Sequence, residues 1–490
     1  MKLGKILAAV ALTVAVSAPM QAQSLLNRVK SSVEGSVKRE ISKGAHNAVD
    51  NAAKNMGDKF KYRKTENNGT RYYVSKSGSN KNDGKSAETA FKDLQKAIDT
   101  AKDGDIIMVA EGNYTGTLDQ GFIDINKYVT IIGGFSADFS DRDPFAYKSY
   151  IRPGVKHADS NGTKALFEID ARNMPNRAVE IDGFGFDLGE ENKYAAPKPE
   201  SDRNGCPEGC ISGRIQEIGG GLGADGTIGG LCMSHALIHA NVNGRLVIRN
   251  CVFANGCYYA IQALNYGGDW EISNNVFVSN VYAACQVDGA VKEANKAYVD
   301  FHNNTVLFTW CRTKEMEDMG LAFRFMSYVD ADVYSNIFGG SNLGALEMTH
   351  HASDKVQDAR RKTHVKDNQF FANAADLILP SASYKWLKIS ADQFDEVENF
   401  TSESGDAALT DKAFLEKINP AYLMGWLNLE VSGSDTYDEN SLANTYRAAH
   451  GMNKQGTTIR RVSMYGNKYP FFEAYDLFGA LEGCGAQYDF

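Results

Sequence analysis

Five short stretches in the middle of the chain repeat one pattern, an apolar strand that runs into an asparagine and then a large apolar residue. They span residues 248–253, 272–277, 301–306, 333–338 and 365–370. Their last residues lie 24 to 32 positions apart, which is the period of a solenoid whose turns bury their apolar faces against their neighbours. Stacking would align four asparagines at a bend, where their amides can hydrogen-bond along the stack and tolerate left-handed backbone: Asn275, Asn304, Asn336 and Asn368. The pattern therefore predicts a coil of stacked rungs.

The first 22 residues are typical of a secretory signal peptide. A charged start at residues 1–5 precedes an apolar run at 6–16 and small residues that end at Ala22. We therefore expect cleavage after Ala22, with Ala18 as the alternative site. The mature protein is then exported to the periplasm, the cell surface or the medium. No later apolar segment is long enough to span a membrane.

Composition sets the class of protein. With 43% apolar and 23% charged residues the chain is typical of a soluble globular protein, and its net charge of -9 gives no support for nucleic acid as a partner. The eight cysteines are too dilute to form the framework of the fold. Cys206 and Cys210 are the favoured disulfide pair. A zinc site is the alternative, and it is disfavoured because no second pair of cysteines or histidines stands at ligand spacing.

Residues 23–70 predict a basic amphipathic helical arm. Apolar residues recur about every fourth position from Leu25 to Phe60, and lysines and arginines fill much of the remaining surface. One interpretation is a helix that contacts the membrane or envelope surface or associates with itself. The other is a solvated extension.

The helical periodicity ends near Arg71, and strand and turn patterns follow. The segments Tyr73-Val74-Ser75, Asn82-Asp83-Gly84, Leu94-Gln95-Lys96-Ala97-Ile98, Gly104-Asp105-Ile106-Ile107 and Glu111-Gly112-Asn113-Tyr114 follow. Here the chain resembles the N-terminal cap of right-handed parallel β-helix proteins of the pectin-lyase-like superfamily, and with the repeats the resemblance extends to about Leu379. It implies an all-β fold, with a β-helix over residues 71–382 and a C-terminal capping region at 383–490. Residues 187–230 show no clear period and predict a long functional or covering loop. It implies no single activity, because the superfamily contains lyases, hydrolases, esterases, epimerases and non-catalytic surface proteins.

A second strand in each rung predicts a polar surface column. Side chains alternate along a strand, so if Ile261, Phe323 and Leu346 point into the coil, the residues beside them point out. One outward column then contains Glu168, Cys232, Gln262, Gln286, Arg324, Glu347 and Ile378. The next contains Asp170, Ser234, Leu264, Asp288, Met326 and Thr349. Rungs are about 4.8 Å apart, so Gln286, Arg324 and Glu347 should be neighbours.

A cation flanked by carboxylates suits β-elimination on a uronate, which needs a base and a group that stabilises the developing enolate. Arg324, Glu347 and Asp288 are therefore the candidate catalytic residues. The candidate substrate-binding residues are Gln262, Gln286, Thr349 and His350. The resemblance adds that lyases of the superfamily often use Lys or Arg with Ca²⁺ held by Asp and Glu. The alternative is a salt-bridged ladder of Arg324 and Glu347 on a solvated face.

Two functions follow as hypotheses. The first is an exported protein that binds or processes an extracellular polysaccharide, in its sharpest form an acidic glycan cleaved by a lyase-type reaction. The second is a non-catalytic structural or adhesive protein of the cell surface. The polygalacturonase-like hydrolases carry adjacent aspartates, and the sequence has no Asp-Asp pair, which disfavours that branch.

Overall fold

The chain passes repeatedly through three sheets of parallel strands, so the computed structural model is a right-handed parallel β-helix, as predicted. It describes residues 69–117, 121–152, 164–187, 210–211, 236–254, 256, 259–290, 297–309, 320–326, 328–341, 343–348, 362–380, 386–397, 400–403, 405–409, 411, 413–414, 417, 463–464 and 471–487. The signal peptide and the arm as far as residue 68 lie outside these ranges and remain predictions. No helix in the described part of the chain has the length and apolar composition needed to cross a bilayer.

The three sheets are named A, B and C in the order in which the chain visits them. The N-terminal rungs contain β1 (Arg71–Val74, A), helix α1 (Leu94–Thr100), β2 (Ile106–Ala110, A), β3 (Gly112–Tyr114, B), β4 (Ile123–Ile125, C), β5 (Thr130–Phe135, A), β6 (Ser149–Ile151, B), β7 (Phe167–Ala171, C), β8 (Ala178–Asp182, A) and β9 (Phe184–Asp187, B). Strand β10 (Cys210–Ile211) lies outside the three sheets.

The central rungs repeat the same order. They contain β11 (Ile238–Val242, C), β12 (Arg245–Arg249, A), β13 (Val252–Ala254, B), β14 (Tyr259–Asn265, C), β15 (Gly268–Ser273, A), β16 (Val276–Val278, B), β17 (Ala283–Gly289, C), β18 (Ala297–His302, A), β19 (Thr305–Leu307, B), β20 (Leu321–Phe325, C), β21 (Asp330–Tyr334, A), β22 (Ile337–Gly339, B) and β23 (Gly344–Met348, C).

The remaining elements continue this order and then end the coil. They are β24 (Thr363–Lys366, A), β25 (Gln369–Phe371, B), β26 (Leu377–Pro380, C), β27 (Trp386–Ile389, C), a 3₁₀ helix (Ala391–Glu396), β28 (Phe400–Ser402, A), β29 (Ala407–Ala408, B), β30 (Ser463–Met464) and helix α2 (Phe471–Asp476). Strand β27 is antiparallel to β26, and β30 is antiparallel to β10. Parallel pairing in sheets A and B continues to β28 and β29.

The asparagine ladder forms at the bend between sheets A and B. Each ladder amide Nδ2 donates along the stack, from Asn304 to Asn336 Oδ1 at 3.1 Å and from Asn336 to Asn368 Oδ1 at 2.9 Å. The left-handed residue precedes the ladder asparagine, as Asn303 (φ 50°) precedes Asn304. Asp406 takes the next position and accepts from Asn368 Nδ2 at 2.8 Å. The predicted stack is therefore confirmed, with the backbone strain one residue earlier than the sequence suggested.

Asn336 is the best place to test the ladder, because its fully buried amide has four partners. Its Nδ2 donates to Phe301 O at 2.9 Å and to Asn368, and its Oδ1 accepts from the backbone N–H and Nδ2 of Asn304. Asn336→Ala is expected to lower the free energy of unfolding by about 2–4 kcal/mol, since each lost partner is left buried. Urea unfolding measures this loss. The exposed Asn113 is the matched control, and a loss no larger than that of Asn113→Ala would contradict the structural role.

Residues 471–487, here called the C-terminal strap, cover the outer face of sheet B. The ring of Tyr475 packs edge-on against Phe145 at 5.8 Å, and Ala486 N donates to Thr305 Oγ1 at 2.9 Å. Gly485 N donates to Ser335 O at 2.8 Å. The strap therefore crosses several rungs, and sheet B presents little of its outer face to solvent.

Candidate functional site

The predicted column lies on the outer face of sheet C. Strand register aligns Glu168, His239, Gln262, Gln286, Arg324, Glu347 and Ile378. The expected adjacency of Gln286, Arg324 and Glu347 is thus confirmed. The rung between Glu168 and Gln262 is filled by His239 rather than Cys232, and its neighbour in the second column is Asn241 rather than Ser234. The reason is that the strand of this rung is β11, which begins at Ile238.

Arg324 is held in a buried polar network. Its Nη1 donates to Gln286 Oε1 at 3.0 Å, its Nη2 donates to Glu347 Oε1 at 3.4 Å, and its Nε pairs with Glu347 Oε2. Gln286 Nε2 in turn donates to Asp288 Oδ2 at 3.1 Å. Arg324 is only 8% exposed and Glu347 is fully buried. The ion pair therefore exists, but on a buried face rather than the solvated one that the sequence suggested.

Burial controls the charges of this network. Burial raises the pKa of Glu347 above its ordinary value, and the charge of Arg324 opposes this shift only in part. Burial also raises the pKa of Asp288. For Arg324 burial acts to lower the pKa, but Glu347, Tyr282 and Tyr259 together outweigh it and the pKa is raised. The guanidinium is therefore a fixed cation whose charge is largely committed to Glu347.

A row of apolar residues from successive rungs runs beside the column. A second hydrophobic cluster, separate from the core inside the coil, consists of Ala236, Tyr259, Ala283, Leu321, Leu343, Ala375 and Ile378, all of them buried. Gln262 lies one rung before Gln286 on this face and is half-buried. Thr349 and His350 lie outside the described residues. The catalytic and binding roles of the sheet C residues stay predictions.

The resemblance left the metal of this chain open, with Ca²⁺ as a possibility. Within the described ranges, no three acidic, histidine or cysteine side chains come together in a way that could hold a metal. The carboxylate of Glu347 faces Arg324.

The predicted disulfide also stays a prediction. Cys206 lies outside the described residues, and only the backbone of Cys210 is described, in β10.

A second polar face lies on the outside of sheet A, and the sequence reasoning did not find it. Register aligns an outward column on successive rungs, here called the acidic column: Glu271, Asp300, Asp332 and His364. Asp269 and Tyr298 lie two residues before Glu271 and Asp300 on the same strands. A further row lies two residues after each of the four members of the acidic column: Ser273, His302, Tyr334 and Lys366. Most of these side chains are partly exposed, because the alternate residues of each strand fill the core.

The centre of this face is a pair of aspartates joined by one tyrosine. The Tyr298 hydroxyl lies within hydrogen-bond distance of Asp300 Oδ1, at 3.1 Å, and also forms a short hydrogen bond with Asp332 Oδ2. A tyrosine hydroxyl has a single proton, so it can donate to only one of the two carboxyl groups at a time. A protonated Asp300 would supply the second proton of this chain. Tyr298 therefore couples the two carboxyl groups.

The protonation of Asp300 fits this arrangement. Burial and the nearby charge of Asp332 raise the pKa of Asp300 to about 7, against the opposing hydrogen bond from Tyr298. Asp332 also faces His364 on its other side, where His364 Nδ1 lies 3.2 Å from Asp332 Oδ1. One carboxyl group of the pair thus holds a proton up to about neutral pH, while the other has a second polar partner in His364.

Ordered side chains flank the pair. On the N-terminal side Glu271 pairs with Arg245 and accepts from Ser273 Oγ at 2.9 Å. Beside the acidic column the rings of His302 and Tyr334 stack in parallel, with centroids 4.7 Å apart and planes 4° apart. The face therefore combines hydrogen-bonding groups with a pair of stacked rings on neighbouring rungs.

A signal for the acidic column is present in the sequence. Glu271, Asp300 and Asp332 each stand four residues before a ladder asparagine: Asn275, Asn304 and Asn336. A search for neighbouring aspartates along the chain misses them because the two central ones lie 32 positions apart. Aligning the repeats on the asparagine would have brought them into one column.

Comparisons with known proteins find distant similarities. A family model described as "Protein of unknown function (DUF1565)" matches residues 76–193. No curated protein sequence matches. Similar solved structures include XylC in complex with xylose, at 13% identity and a TM-score of 0.36, with 63% of each chain covered, which is less than two thirds of the length of XylC. They also include pectin methylesterase in complex with a hexasaccharide (10%, 0.35, covering 72% of this chain and 96% of that chain) and a rhamnogalacturonan lyase (12%, 0.33, covering 85% and 100%).

Proposed function

We propose that this β-helix protein binds a polysaccharide along the outer face of sheet A and hydrolyses its glycosidic bonds with Asp300 and Asp332. The observation that carries the proposal is the pair of carboxyl groups on adjacent rungs, joined by the Tyr298 hydroxyl. Glycoside hydrolysis uses two such groups, one that protonates the leaving oxygen and one that acts on the sugar as a carboxylate.

The two aspartates suit different roles in this reaction. Asp300 keeps its proton up to about neutral pH, since its pKa is raised to about 7 by burial and by Asp332. It is therefore suited to be the acid. The remaining member of the pair, Asp332, takes the role of the carboxylate, and the His364 ring 3.2 Å from its Oδ1 orients it.

The surroundings of the pair suit a chain-like ligand. Polar side chains recur at the rung spacing of about 4.8 Å, so successive units of a linear glycan would meet successive rungs. The stacked rings of His302 and Tyr334 lie beside the carboxyl pair on the same two rungs, where a bound sugar can contact their edges. The acidic column disfavours a polyanionic chain over the pair itself.

A lyase-type reaction on an acidic glycan at Arg324 is the alternative. It requires a cation that can meet a substrate carboxylate. Arg324 already contacts Glu347 and Gln286 and is only 8% exposed. Its charge is therefore poorly available to a substrate carboxylate, which weighs against the lyase reaction.

A glycan panel tests the proposal. We expect the protein, incubated with neutral and uronate-containing polysaccharides, to release new reducing ends without the ultraviolet absorbance of unsaturated products. Unsaturated products would support the lyase reaction instead. Binding without cleavage would support the non-catalytic surface protein, and release of no reducing ends from any glycan would refute hydrolysis.

A further inference from the structure

We infer that cleavage at Asp300 and Asp332 retains the configuration of the anomeric carbon, with Asp332 forming a covalent glycosyl ester. This inference rests on the proposed function and goes beyond it, since hydrolysis alone leaves the stereochemical course open.

The separation of the two carboxyl groups carries the inference. Asp300 Oδ1 lies 3.1 Å from the Tyr298 hydroxyl, and the same hydroxyl forms a shorter hydrogen bond with Asp332 Oδ2. Two oxygens that share one hydroxyl in this way lie within about 6 Å of each other. Inverting enzymes separate their carboxyl groups by about 6.5–9.5 Å to admit a water molecule between base and sugar, whereas retaining enzymes hold them about 5–5.5 Å apart.

The backbone fixes this spacing. Asp300 on β18 and Asp332 on β21 are direct register partners in a parallel sheet, where strands lie about 4.8 Å apart. On each side of both residues, neighbouring side chains are buried in the core, as Val299 and Val333 are. The two carboxyl groups therefore cannot separate by a strand shift without breaking the sheet.

The first chemical step balances with these two residues. An Asp332 carboxylate oxygen bonds to the anomeric carbon, the bond from that carbon to the glycosidic oxygen breaks, and the leaving oxygen takes the proton of Asp300. The products are a glycosyl ester of Asp332, an ionised Asp300 and a free hydroxyl on the departing chain.

The second step restores the protein. A water molecule gives a proton to Asp300, its oxygen bonds to the anomeric carbon, and the ester bond breaks to return the Asp332 carboxylate. Each step inverts the anomeric carbon once, so the two together retain its configuration.

Methanol is the probe that separates the two courses. With a polysaccharide that the panel shows to be cleaved, we expect about 5–10% methanol to divert the ester intermediate into methyl glycosides, which mass spectrometry detects. Proton NMR in the first minutes should show new reducing ends with the anomeric configuration of the substrate. Asp332→Ala should be inactive, and sodium azide should restore turnover as a glycosyl azide of inverted configuration, provided that circular dichroism shows the variant to be folded.

The outcomes distinguish this inference from the proposed function. Cleavage with inverted reducing ends and no methyl glycoside would overturn retention and leave hydrolysis standing. Absence of cleavage by the wild-type protein would overturn both. If Asp332→Ala proves unfolded, the methanol and NMR results on the wild-type protein still decide the matter.

Discussion

Asp300→Asn is expected to slow glycan cleavage by about 10²–10⁴-fold, because an amide cannot give a proton to the leaving oxygen. For the wild-type protein we expect kcat/KM to fall as the pH rises through about 7. The pKa of Asp300 is raised to about 7, so the acid is protonated below that pH and ionised above it. In the variant this alkaline limb should disappear. Reducing-end assays between pH 4 and 9 measure both effects.

Asp170→Asn is the matched control for this substitution. It makes the same chemical change on the outer face of sheet C, where Asp170 is half exposed and pairs with Arg172 at 2.6 Å. Its activity should stay within about twofold of the wild type. Full activity of Asp300→Asn, or equal losses in the two variants, would rule out Asp300 as the acid.

Arg324→Ala should lower the free energy of unfolding by about 3–5 kcal/mol, since it leaves the fully buried Glu347 carboxylate without its counter-ion. The sequence alone suggested a much smaller loss, that of an exposed pair. Burial raises the pKa of Glu347, so the variant should recover part of its stability as falling pH protonates this residue. Urea unfolding at pH 5 and pH 8 measures both quantities.

Two controls isolate the buried charge. Arg172→Ala breaks an ion pair whose side chains are 46% and 52% exposed, and it should cost no more than about 1 kcal/mol. Replacing both partners, as Arg324→Met with Glu347→Leu, should restore most of the stability. If Arg324 instead contacts a uronate, Arg324→Ala would weaken glycan binding at least tenfold with little loss of stability, a result that would return the site to sheet C.

The repeats in the sequence predicted the fold because solenoid physics is local. The asparagine ladder follows from the repeated motif of an apolar strand, an asparagine and a large apolar residue. The strand register confirmed the order of Gln286, Arg324 and Glu347. Cys232 was misaligned because the rung to which it was assigned is formed by β11, and the two segments share the same alternation of apolar and polar residues. Alternation identifies a strand, but it does not say which of two nearby segments pairs with the strands of the neighbouring rungs.

Burial on the outer face could not be predicted in the same way. Alternation gives the direction of Arg324 and Glu347, yet whether an outward side chain meets solvent depends on segments distant in sequence. The same limit hid the acidic column, since the carboxyl pair becomes visible only when Asp300 and Asp332 are aligned by rung. Their coupling through Tyr298 depends on side-chain rotamers, which the sequence pattern does not specify.

The C-terminal strap changes how this solenoid can come apart. In a plain coil each rung contacts only its neighbours, so unfolding can begin at one end and spread rung by rung. Here the strap joins Asn274, Thr305 and Asn336 to residues 213, 181 and 148 positions away. Closing loops of this length is slow and costly in entropy, but once closed they make the bridged rungs open together. The carboxyl pair lies on these same rungs, so local fraying of the coil is opposed where the spacing of Asp300 and Asp332 matters most.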